Sequence, residues 1–133
     1  MSAFLEKSKK NNNAAKLLMS APLPDSSVHC SYYSCVQHML HILFFKKGID
    51  QVTFYSEARS NKQGTHGWAA KKIELALGQI SFQDYKWFQK TFKEFKLLRE
   101  KADYEEDAIT SDEGRLAIAT SESIVNLLAR HFK

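Results

Sequence analysis

The chain has 133 residues, of which 44% are hydrophobic and 12% aromatic, so it is long enough to bury a sizeable core within one domain. With 5 Gly and 2 Pro it has too few turn formers for an all-β chain and excludes collagen-like or Pro/Gly-rich disordered classes. The formal net charge is +4, and it is polarised: residues 1–24, 25–80 and 81–101 carry +3, +2 and +3, whereas residues 102–133 carry −4. Such a balance permits a nucleic-acid partner without demanding one.

The N-terminal stretch lacks an apolar signal-peptide core, and no apolar run approaches the length of a membrane span. The expected location is therefore cytoplasmic, away from a membrane. Cys30 and Cys35 are spaced too far around a helix to bridge, and they read as reduced core or near-core residues.

Punctuation by Pro22, Pro24, Gly48, Gly64, Gly67 and Gly78 divides the chain into segments that read as helices over 3–19, 26–47, 50–60, 66–77, 81–106 and 111–131. Ser81 is placed to cap the fifth helix. Thr110 and Glu113 have capping-box spacing before the sixth. The 26–47 helix groups Val28, Tyr32, Tyr33, Val36, Met39, Leu40 and Leu43 on one face, with His38 and Phe45 opposite, and is expected at the centre. The 81–106 helix aligns Tyr85, Phe88, Phe92, Phe95, Leu98 and Ala102. In the last helix Leu116, Ala119, Ile124, Leu127 and Leu128 are expected to be buried. Alternating strand patterns do not occur. The fold class is all-α, an up-and-down bundle of four to five main helices spanning 1–133 as a single domain.

Several polar residues fall where chemistry can occur. Arg99 lies on the apolar face of its helix, about 20° from Phe88 and from Phe92, so it must be paired or line a groove. Asp103 is one turn on and Tyr104 follows. A structural pair and a ligand groove demand the same desolvated geometry, so both readings stay open. His29 also falls on an apolar face, and reads first as a core histidine and second as a neighbour of that groove. His38 and His41, three apart, are expected on the surface or facing a partner. They could share a metal only if a third ligand joined them, and none is near in sequence, so no metal or other cofactor is expected.

Arg59 and His66 flank a Gly-containing loop, with His66 at a helix start where free backbone amides suit a phosphate. A histidine there could act as acid or base on an RNA 2′-hydroxyl, and an arginine could stabilise phosphate charge. An ordinary surface loop is the competing reading. Lys86, Lys90, Lys93 and Lys101 form a basic stripe near Trp87. This suits a nucleic-acid backbone or simply a solvated helix face.

Two stretches resemble the HEPN family. Ser31-Tyr32-Tyr33-Ser34-Cys35-Val36-Gln37-His38 resembles the YYA-x-F-H stretch of the second HEPN helix, and Leu98-Arg99-Glu100-Lys101-Ala102-Asp103-Tyr104 resembles the L-R-x-x-A-D-Y stretch of a later helix. Their order also fits, and the resemblance covers about residues 12–128. It implies a helical bundle, often a homodimer. Family members include metal-independent ribonucleases, such as toxins of toxin–antitoxin pairs, and inactive or nucleotide-binding forms. Active members use an Arg and a His separated by four to six residues where two protomers meet. Arg59 and His66 have the longest such spacing. At the usual place of the motif, Arg99 is followed by Asp103 and Tyr104, with no histidine. The resemblance thus implies an RNA- or nucleotide-binding module whose groove is lined by His29, Arg99, Asp103 and Tyr104, without a complete catalytic pair. Its alternatives are a ribonuclease using Arg59 and His66, and a protein-interaction half of a toxin–antitoxin or mobile-element pair.

Overall fold

The computed structural model describes residues 2–133. Six α-helices follow one another: α1 (Ala3–Ser20), α2 (Pro24–His41), α3 (Gln51–Ser60), α4 (Thr65–Gly78), α5 (Phe82–Tyr104) and α6 (Ser111–His131). The expected bundle had four to five main helices. The described residues contain no strand, and none of their helices is long and apolar enough to cross a membrane.

The helix ends follow local chemistry. Pro24 occupies the first turn of α2, where its missing N–H costs nothing. Asp50 accepts from Thr53 N at 2.9 Å and caps α3. These bonds hold the Asp50 carboxyl below the usual carboxylate range. Ser81 caps α5 through Asp84 N at 3.2 Å. Thr110 and Glu113 form the full capping box of α6. The expected single helix over 26–47 instead ends in one π turn, Ile42–Lys46, before Gly48 reverses the chain at φ 68°.

The α1–α2 pair is antiparallel and held at close range by small residues. Ser8 Oγ donates to Ser34 O and Ser34 Oγ donates to Ser8 O, each at 2.7 Å. Ser27 Oγ donates to Ala15 O at 2.7 Å. Only side chains this short let two backbones approach so closely. α5 and α6 are also antiparallel, tied at one end by Lys101 to Glu113 (3.1 Å) and at the other by His131 to Asp84 (2.6 Å).

α2 runs through the middle. Its Val28, Tyr32, Cys35, Val36 and Met39 are buried among Ile73 and Leu77 of α4, Phe88, Phe92 and Phe95 of α5, and Ala117, Ile124 and Leu128 of α6. Both cysteines are free, Cys35 in the core and Cys30 half-buried.

Three expectations are corrected. Leu116 and Ala119 are exposed, because α6 turns Gly114, Ala117, Ser121 and Ile124 inward instead. There α6 passes so close to the α1–α2 connection that a Cβ on Gly114 would meet Met19 Sδ at 2.5 Å and Pro24 Cβ at 3.1 Å. His38 and His41 are buried, each 8% exposed, because α1 covers the side of α2 assumed free. Burial and the neighbouring His41 push the His38 ring down to about 4, so it is neutral. His41 meets Ser2 Oγ at 2.5 Å. His29 is not a core histidine: its side chain is 48% exposed.

Candidate functional site

The candidate residues of α2, α4 and α5 converge around Tyr32. This ring is fully buried, stacked on Phe92 (5.7 Å between centres) and edge-on to Phe95 (5.5 Å). The Arg99 guanidinium lies 4.8 Å from the centre of Tyr32 and 5.6 Å from that of Tyr104. Cation–π contacts of this kind are worth up to about 2 kcal/mol when desolvated. They explain how an arginine only 8% exposed remains charged on an apolar helix face.

Arg99 Nη1 also donates to Tyr104 Oη at 3.4 Å and stands 3.6 Å from Asp103 Oδ2. Asp103 in turn lies 3.0 Å from His29 Nδ1. The expected groove set His29, Arg99, Asp103 and Tyr104 is therefore contiguous. Arg99 Nε and Tyr32 Oη are buried without a hydrogen-bond partner among the described residues. Burial raises Tyr32 to about 12 even though the positive charge of Arg99 pulls the other way, so the phenol keeps its proton.

His66 joins this cluster from the start of α4. Its ring packs 5.4 Å from Tyr32 and 5.1 Å from Tyr33, which itself lies 4.7 Å from His29. Burial lowers the His66 pKa, and the charges of Arg99 and Lys96 lower it further, so the imidazole is neutral at pH 7. His66 opens into a cleft of about 460 Å³ lined by Lys62, Gln63, Gly64, Thr65, Gly67, Lys96 and Arg99. Lys62, Lys96 and Arg99 bring three cations to its wall, and no lining residue is acidic. Gly64 is the N-cap of α4 and offers no side chain to its first amides. The cleft thus joins fixed positive charge to the positive end of a helix.

The loop that builds it is set by α3. Gln63 N bonds to Ala58 O at 2.9 Å and Lys62 N to Arg59 O at 3.1 Å, the paired bonds of a left-handed helix end. That ending puts Lys62 at φ 56°, a conformation that usually calls for glycine, and sets it on the cleft wall.

Arg59 and His66 make no hydrogen bond or ring contact with each other. Arg59 is exposed on the last turn of α3 and is not among the residues lining the His66 cleft. The arginine beside His66 is Arg99, from a different helix. The basic stripe is also divided. Lys101 is taken up by Glu113, Lys86 lies over the Phe82 ring at 5.4 Å, and Lys90 and Lys93 are exposed. None of the four lines the cleft.

Lys62, Lys96, Tyr32 and Tyr33 belong to the site and were not singled out as site residues from the sequence. Lys96 was within reach of the same arithmetic that places Arg99, since three residues apart share a helix face. Tyr32 and Tyr33 enter the sequence reading as part of an apolar face and of the HEPN-like stretch, not as site residues. Compared with family models, with curated proteins and with solved structures, the chain gives no match.

Proposed function

We propose that the protein is a HEPN-like RNA- or nucleotide-binding module that holds a phosphate in the His66–Arg99 cleft. The observation that carries this reading is the cleft wall: Lys62, Lys96 and Arg99 surround an uncapped helix start with no lining carboxylate. A phosphodiester there accepts from the first amides of α4 and from the guanidinium, while Tyr33 and Tyr104 offer ring faces near the same groove. The reading includes a homodimer, as the family resemblance implies, and a cytoplasmic location, as the sequence leads one to expect. It does not include a catalytic Arg59–His66 pair.

A second reading, metal-independent RNA cleavage, is favoured by one observation. His66 is neutral at pH 7 and stands in a cleft beside a fixed arginine, which suits a base next to a charge stabiliser. One gel experiment tests both. End-labelled single-stranded RNA is incubated in EDTA with wild type, His66→Ala and Arg59→Ala. The binding reading expects a salt-sensitive mobility shift and intact RNA. Cleavage lost in His66→Ala and kept in Arg59→Ala would replace it with the second reading. Cleavage lost in both would restore the Arg59–His66 pair. Neither shift nor cleavage would remove nucleic acid from the account.

A further inference from the structure

On the other side of α2, away from the His66 cleft, lies a cavity of about 380 Å³ between α1, α2 and α6. Its lining departs from the rest of the interior. Ser8, Ser34, His38 and Ser121 all line it and are all buried, joined by Asn12 and Asn126. Ser8 and Ser34 spend their hydroxyl protons on each other's carbonyls. The other groups have capacity left. Ser121 Oγ is buried in a residue 1% exposed and has no partner among the described residues, and Asn12 Oδ1 is likewise buried and unpaired. The His38 imidazole makes no hydrogen bond to a described residue, and being neutral it holds one donor and one acceptor. Buried polar groups left unsatisfied destabilise the fold. Two such atoms, Ser121 Oγ and Asn12 Oδ1, belong to residues that line one cavity, with the His38 ring on the same wall, and they ask for a molecule that answers them.

The lining also restricts what that molecule can be. Its one acid, Glu122, is engaged at 3.1 Å by Lys16 and accepts from Asn12. Lys9 is the one cation among the lining residues, so the wall holds no cluster of like charges for a multiply charged ligand. Leu5 and Val125 supply aliphatic edges, and apart from the imidazole no ring lines the cavity, so a flat base finds no face to stack on. Hydroxyl groups donate and accept together, which is what Ser121, neutral His38 and the two asparagines require. We propose that this cavity is a binding site for a small uncharged polyol of the size of a pentose or hexose. The proposal is independent of the phosphate cleft.

The test uses the full chain and three probes, D-ribose, D-glucose and myo-inositol, each titrated through the low millimolar range while Tm is followed, with adenosine in parallel. Sugars stabilise proteins generally at high concentration by exclusion from the surface, and that effect rises without saturating and is blind to the cavity. The proposal expects a saturable rise with at least one polyol, lost in Ser121→Val and in Asn12→Leu. Asn12 is only partly buried on α1, so Asn12→Leu decides the matter if Ser121→Val does not fold. No saturable rise with any of the three, or a rise that survives in both folded variants, would overturn the site. Saturation by adenosine alone would overturn the polyol assignment.

Discussion

Arg99 and His66, from different helices and 33 positions apart in sequence, line the same cleft, with the Tyr32 ring in contact with both. The arginine keeps its charge through ring faces and one shared carboxylate, and that charge in turn helps to keep the histidine neutral. The consequences of this arrangement can be measured.

Arg99→Met should leave the fold nearly as stable as wild type, within about 1 kcal/mol, because an apolar chain of similar length suits the ring-lined position. Asp103 is not stranded by the change, since His29 remains 3.0 Å away. RNA affinity should fall about tenfold to a hundredfold, the worth of one lost charge-assisted contact. Chemical denaturation and a binding isotherm on the same preparation check both halves.

Asp103→Asn should act in the opposite direction on binding. The carboxylate stands 3.6 Å from the Arg99 guanidinium and competes with any phosphate for it. Removing its charge should tighten RNA binding a few-fold. A titration at fixed salt reads the effect.

Stability should decline as the pH falls from about 6.5 toward 4. His38, His41 and His66 are all held below their unfolded value of 6.5, chiefly by burial. The unfolded chain therefore takes up protons first, and the neutral-ring contribution is complete above pH 6.5 and lost as pH falls through the folded values. For His38, held at about 4, the loss is on the order of 2–3 kcal/mol. Urea unfolding at pH 7 and pH 4.5 should show this slope, and His38→Gln should flatten it.

Binding should carry the reverse dependence. Protonating His66 adds a fourth cation to the cleft, so RNA affinity should rise as pH drops below 6.5, while the fold persists. His66→Gln should abolish that rise and leave affinity at pH 7.5 little changed. Anisotropy titrations between pH 7.5 and 5.5 check it.

The helices and their order were legible because their signals are local. Pro24, Ser81 and the Thr110–Glu113 box each act within one turn, and six segments appear where punctuation places them. What failed depends on the neighbour. His38 and His41 are expected on the surface or facing a partner because the sequence does not say that Ser8, Ala15, Ser27 and Ser34 bring α1 tightly over that face. Ala117 was missed in favour of Leu116 because apolar size outweighed register, although Gly114 and Ser121 share the face of Ala117. The contacts of Arg99 with Asp103 and Tyr104 were readable from one helix, since both follow within five residues. The partnership of Arg99 with His66 was not, because it is made across α2 by Tyr32.

The most direct test of the proposed phosphate cleft is an anisotropy titration of labelled single-stranded RNA in EDTA at two salt concentrations. It compares wild type with a Lys96→Gln/Arg99→Met variant and with a Lys86→Gln/Lys90→Gln/Lys93→Gln variant. The account predicts a wild-type log–log salt slope of about −2, for three cations at roughly 0.7 each. It also predicts a loss of about tenfold or more, with a shallower slope, in the cleft variant alone. Wild-type affinity in the cleft variant, with binding lost in the stripe variant, would contradict it.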